Sequence, residues 1–225
     1  MKERHKQLLR LVVENYIQTG SPVGSKFLIE KSELNVSAAT VRNEMRDLED
    51  SGFLTHPHTS AGRIPTEQGY GYYVENIMKS GDIEKTIKQE VDDLIKQDNY
   101  KDKIKLLGKL VSNQINNAVI IAFGGKSVYY TGISNLFSQP EFRDYAHTIA
   151  ISSIFDRCEE QMDDLYEIVK DNKTRILVGS KNPLGNACSI LACRLNKNDL
   201  FVILGPMRMD YSNGLTMLNY IQGAI

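Results

Sequence analysis

Tryptophan is absent from the 225 residues, cysteine occurs only three times, and neither sign of charge dominates. Cys158, Cys188 and Cys193 form no C-x-x-C pair, so they read as reduced, mostly buried thiols of a cytoplasmic protein rather than as a disulfide framework. No stretch approaches the roughly 18 consecutive apolar residues that a membrane span needs, and no apolar run follows Met1-Lys-Glu-Arg-His5 to serve as a signal peptide. The formal net charge is −1, so no global basic field advertises a polyanion as partner. Residues 1–80 hold ten Lys or Arg against ten Asp or Glu. A phosphate-binding surface there must come from sorting charges onto one face.

What is present is helical periodicity with short turns. Leu8, Leu11, Val12, Asn15 and Tyr16 share a stripe, with Lys6, Arg10 and Glu14 off it, until Gly20-Ser21-Pro22 ends the helix. A second, short helix starts at Gly24 or Ser25 and turns Phe27, Leu28 and Leu34 inward. Ser37 is a good N-cap for a third, in which Ala38, Val41, Met45 and Leu48 recur at three- and four-residue spacing up to Gly52. Phe53-Leu54-Thr55, a polar loop from His56 to Arg63, and Ile64-Pro65-Thr66 predict a β-hairpin, and Thr66 caps a helix carrying Tyr70, Tyr73, Val74 and Ile77. Ser80-Gly81-Asp82 reads as a linker.

From Ile83 to Asn117 the pattern stays helical, broken at Asn99-Tyr100. Ala118–Phe123 then turns through Gly124-Gly125 into Val128-Tyr129-Tyr130. Two helices, about 141–156 and 159–171, precede strands at Arg175–Val178, Cys188–Leu195 and Leu200–Leu204, and a last helix covers about Tyr211–Ile221. Mostly hairpin-linked, this order predicts an α+β domain around an antiparallel sheet.

Three helices followed by a hairpin is the order of a winged helix-turn-helix, in which one helix positions another in the major groove. The second helix (about 24–32) would position and the third (about 37–50) would read. Ser37, Ala39, Thr40, Asn43, Arg42 and Arg46 are the exposed positions toward its start. Asn can pair with adenine, Arg with guanine, and Ala or a Thr methyl can touch thymine's methyl. Glu44, Asp47, Glu49 and Asp50 would face away from phosphates, while the free N–H groups opening helices two and three can hold them. An ordinary amphipathic surface helix would show the same spacing. The wing adds His56, His58, Thr59, Ser60 and Arg63 in eight residues without one carboxylate. Such a loop suits a phosphate backbone, with Arg63 able to enter a minor groove; solvated histidines in a polar turn are the plainer reading.

The run from Ser37 through Gly52-Phe-Leu54 is similar to the recognition helix of the HrcA family of heat-inducible repressors, as is Pro57-His-Thr-Ser-Ala-Gly-Arg-Ile-Pro-Thr66-x-x-Gly69-Tyr70. Gly205-Pro-Met-Arg-Met-Asp-Tyr211 resembles that family's second recurring segment. The resemblance implies a homodimeric repressor of chaperone genes on an inverted-repeat operator, a GAF-like C-terminal domain, and dependence on the GroEL chaperonin. It divides the chain into a DNA-binding domain (1–80), a helical linker or dimerisation region (81–117) and a GAF-like regulatory domain (118–225). The family carries an extra dimerising subdomain, for which Ser134–Arg175 leaves little room. Its substitutes would be helices 66–79 and 83–117, through Ile83, Ile87, Val91 and Leu94 or through Tyr70, Tyr73 and Ile77. The same stripes could equally pack on their own domain.

Other constellations carry no chemistry. Gly124-Gly125-Lys126-Ser127 ends like a P-loop, but Ile120 occupies the first glycine position and a strand follows. His56 and His58 make a poor metal site. Asp92-Asp93 and Asp163-Asp164 read as solvated faces, and Arg208, Asp210 and Tyr211 as a buried polar network in preference to a ligand contact. No catalytic set and no cofactor site emerges. The rival to a repressor is a small-molecule-sensing regulator with a concave apolar pocket in residues 118–225.

Overall fold

The computed structural model describes residues 1–31, 36–58, 62–124, 127–171 and 173–225. The chain forms two compact units, Met1–Met78 and Lys79–Ile225, and it combines helices with antiparallel sheet. The first unit runs α1 (Glu3–Thr19), α2 (Ser25–Lys31), α3 (Ala38–Asp50), β1 (Leu54–Thr55), β2 (Ile64–Pro65) and α4 (Glu67–Asn76). α1 ends on Gly20 at φ +65°, whose N–H bonds the Tyr16 carbonyl at 2.9 Å. Its core face is broader than the periodicity suggests. Leu9 and Val13 are buried with Leu8 and Val12, whereas Leu11 is only half-buried, because α3, α4 and β2 all pack on this one helix. Leu34, expected on the second helix's apolar face, lies outside the described residues.

The short hairpin is held by contacts that explain its glycine and threonine. Thr66 donates to the Gly52 carbonyl at 2.6 Å and accepts from the Gly69 N–H at 3.0 Å, capping α4. A Cβ on Gly69 would fall on the Phe53 carbonyl oxygen, so α4 can start this close to the hairpin only with glycine there.

The second unit contains α5 (Lys85–Ile95), α6 (Tyr100–Ile115), β3 (Ala118–Phe123), β4 (Ser127–Thr131), α7 (Ile133–Phe137), α8 (Tyr145–Ile168), β5 (Arg175–Val178), β6 (Cys188–Arg194), β7 (Asp199–Pro206) and α9 (Tyr211–Ala224). The strands pair antiparallel in the order β4-β3-β7-β6-β5. Ala118, Ile120 and Ala122 join Ile190, Ala192, Val202 and Leu204 in a core closed by Ile151, Ile154, Cys158, Met162 and Leu165 of α8. On the other face, Val119 and Ile121 lie beside α6, and Leu191 and Ile203 beside α9. Helices therefore cover both faces, which is why β3, β6 and β7 read as unbroken apolar runs rather than alternations.

Two expectations change. The pair of helices at 141–156 and 159–171 is a single 24-residue α8 preceded by a 3-10 turn at Pro140–Arg143. Asp156-Arg-Cys-Glu159 holds no Gly or Pro to stop a helix, and buried Cys158 continues the stripe across the expected gap. The stripe on α5 is partly used within its own unit: Val91 is fully buried, Ile83, Ile87 and Leu94 are half-buried, and α5 packs on α6 and α9. Among the described residues, no helix is long and apolar enough to cross a membrane.

Candidate nucleic-acid interface

α3 begins where Ser37, in extended conformation, accepts from the Thr40 N–H at 3.2 Å; the two hydroxyls lie 3.0 Å apart. Val41, Met45 and Leu48 are buried and fix the helix rotation. With that face turned inward, Ala39, Arg42, Asn43 and Arg46 stand exposed at i, i+3, i+4 and i+7, on one stripe. No described residue pairs with the side chains of Arg42, Asn43 or Arg46. The structure thus brings four of the anticipated reading residues onto one open face, with Ser37 and Thr40 at its N-terminal edge engaged in the cap.

Two carboxylates of α3 are turned onto other elements, while Asp47 and Asp50 stay exposed toward its C-terminal end. Glu44 is buried and pairs with Arg4 of α1, and Asp47 lies 3.7 Å from His5. Glu49 turns toward the hairpin. One carboxylate oxygen meets His56 Nδ1, and the other accepts from the Arg63 guanidinium at 2.7 Å. Burial works to raise the Glu49 carboxyl, but the His56 hydrogen bond and the Arg63 and His56 charges outweigh it and hold it below the usual carboxylate range.

The wing cluster, which has no carboxylate in its own sequence, therefore receives one from the helix. Sequence reasoning placed Glu49 away from the site. Seven residues separate Glu49 from His56 and seven more separate His56 from Arg63, with no periodic signal linking them, so only hairpin closure reveals the contact. Arg63 is also fixed through its backbone, exchanging bonds of 2.9 and 2.8 Å with Val23 just ahead of α2. His58 is exposed. Thr59 and Ser60, expected to touch phosphate, lie outside the described residues.

In the second unit the remaining candidates resolve into structural contacts. Gly124 donates to the Asn198 carbonyl and the Asp199 carboxylate at 3.0 and 2.9 Å, while Gly125 and Lys126 lie outside the described residues. Asp92, expected on a solvated face, accepts instead from the Tyr220 hydroxyl. Arg208 forks onto Glu141, Asp210 caps α9, and buried Tyr211 donates to the Met207 carbonyl at 2.6 Å beside Ser189. An open hollow of about 610 Å3 at one end of the sheet is lined by Tyr100, Lys101, Phe123, Gly124 and Asn196–Asp199. Its polar groups are turned on one another: Asn196 donates to Tyr100 and Asp199 at 2.7 Å each.

The heat-inducible transcription repressor HrcA of Desulforudis audaxviator is 47% identical over 109 residues, covering 48% of this chain and 30% of that relative. The repressor of the same name from Thermomicrobium roseum is 54% identical over 83 residues, covering 37% of this chain and 24% of that relative. The chain thus spans less than a third of either relative's length. The crystal structure of a hypothetical protein, solved at 2.2 Å, superposes with a TM-score of 0.79 at 15% identity, covering 99% of this chain and 97% of that one, and so shares the fold. The profile of the HrcA protein C-terminal domain matches residues 73–214, and the chain belongs to the HrcA family.

Proposed function

We propose that the chain is a DNA-binding transcriptional repressor of heat-shock genes. Its first unit is read as a winged helix-turn-helix in which α2 positions, α3 reads and the β1–β2 hairpin is the wing. Residues 118–225 form a GAF-like regulatory domain joined through the helical segment 81–117. The observation that carries the reading is the exposed stripe Ala39–Arg42–Asn43–Arg46, beside which Glu44 and Glu49 are turned onto other elements. The relatives' name, heat-inducible transcription repressor, supports the regulated genes. A single reading helix spans one half-site, so a homodimer on an inverted-repeat operator follows from the geometry of such modules. GroEL is the partner proposed for control of folding or activity. No catalytic role is proposed. The sensing alternative is less favoured, because the polar groups of the hollow in the second unit already satisfy one another.

The test uses a duplex enriched by the chain itself from random-sequence DNA. Replacing Arg42, Asn43 or Arg46 by Ala should cost about 1–3 kcal/mol where the residue reads a base, with relaxed discrimination at one position. A residue that touches only phosphate should instead weaken all sequences alike. Three Ala variants that bind as tightly as the parent would remove α3 as the reader.

A further inference from the structure

We propose that Glu49 is a positioning residue for DNA binding: its carboxylate sets the wing against the reading helix and holds Arg63 ready for a phosphate. This rests on the α3-and-wing reading above. His56 opens the loop between β1 and β2 and Arg63 closes it, and the two oxygens of Glu49 take one each. Both feet of the wing are thereby tied to the last turn of α3. Arg63 is doubly located, since its backbone is bonded to Val23 ahead of α2. A guanidinium fixed in this way needs little ordering when it meets DNA, which is the general advantage of preorganisation.

A carboxylate this near a proposed DNA face would ordinarily repel phosphates. Here the side chain is only 20% exposed and faces Arg63, itself 22% exposed, so its charge is spent inside the protein. The two roles predict opposite signs. If Glu49 were merely a surface acid, removing its charge would tighten binding. If it positions the wing, removing it weakens binding, and does so through Arg63.

The experiment compares the parent chain with Glu49→Gln, Arg63→Ala and the double variant, measuring affinity for the selected duplex across a salt series. Circular dichroism melts verify that each variant is folded. Glu49→Gln should lose about tenfold, the worth of one charge-assisted hydrogen bond, and its log–log salt slope should flatten by about 0.9, one phosphate contact. Arg63→Ala should lose a similar factor, and the double variant should be no weaker than Arg63→Ala alone. Should Glu49→Gln fail to fold, Glu49→Asp carries the same comparison, keeping the charge but drawing it back by one methylene. Equal or tighter binding by the Glu49 variant beside a weakened Arg63→Ala overturns the positioning role and leaves the wing reading intact, as do losses that add fully in the double variant. Undiminished binding by Arg63→Ala removes the wing contact and this proposal with it.

Discussion

Gly205 opens the segment Gly205-Pro-Met-Arg-Met-Asp-Tyr211, and the structure says what a methyl group there would meet. Gly205 lies in β7 opposite Ser189 of β6, and a Cβ built on it would sit 2.8 Å from Asn117 Cγ. Asn117 is 2% exposed. Its amide donates to the Ile115 carbonyl at 3.0 Å and accepts from Gln139 at 2.8 Å, while its own carbonyl accepts from Ser112 at 2.7 Å. The side chain cannot swing aside without breaking these bonds in a dry place. Overpacking of a tight site costs about 1–3 kcal/mol, and each buried hydrogen bond lost adds about 1 kcal/mol or more, so Gly205→Ala should destabilise the second unit by about 3–5 kcal/mol. Native-state hydrogen exchange of the β3 and β7 amides reads that unit separately from the first. Asn117→Ala alone should cost about 1–3 kcal/mol, and the double variant should cost at least about 1 kcal/mol less than the sum, because the colliding group is gone. A Gly205→Ala chain within about 0.5 kcal/mol of the parent would refute this account of the glycine.

Two further expectations concern titrating groups. Burial would raise the Glu141 carboxyl, but Arg208 and the residue's own backbone amide hold it below its ordinary value. The pair should therefore stabilise the fold above the ordinary carboxylate range and lose that contribution as pH falls through the lowered value. Arg208→Gln should cost about 1–3 kcal/mol near pH 7 and move acid unfolding to higher pH, as followed by urea melts from about pH 7 to about pH 3; an unshifted acid limb counts against the pair. Burial pushes the thiols of Cys158, Cys188 and Cys193 up to about 12. Each should react with a disulfide reagent only at the rate of unfolding, and rapid labelling of any one at neutral pH would contradict its burial.

How much of this was legible beforehand depended on whether the physical cause was local. Ser37 and Thr66 as caps, and Asn99-Tyr100 as the break between α5 and α6, follow from short-range hydrogen bonding; Ser37, Thr66 and Asn99 each accept the backbone N–H three residues on. The exposed face of α3 follows equally from Val41, Met45 and Leu48. The continuity of α8 was missed because its middle, Ile154-Phe-Asp-Arg-Cys158, mixes apolar and charged residues. It stays helical because Cys158 and Met162 pack on the sheet. α7 was not anticipated. It begins at Gly132, φ +72°, where a Cβ would strike Ser112 of α6, and that cause lies twenty residues upstream. The Glu49 contacts belong to the same class, since a hairpin must close before they exist.

The even charge balance of residues 1–80 supplies no basic field, so any affinity of this segment for DNA must come from how its charges are placed. Ten acidic groups against ten basic ones in residues 1–80 leave no net field, but affinity for DNA depends on which charges are unpaired at the contact surface. Glu44 is taken up by Arg4, and Glu49 by His56 and Arg63. Arg42 and Arg46 point outward, and no described acid pairs with them. The Arg4 and Arg63 charges used in those pairs are not lost, because each keeps a carboxylate of α3 from being left buried and bare, which would cost several kcal/mol per ion. A segment without a net basic charge can therefore present a locally basic stripe. With little surplus charge elsewhere, binding to arbitrary sequence should be weak, and discrimination should rest on Arg42, Asn43 and Arg46 meeting base edges in paired half-sites.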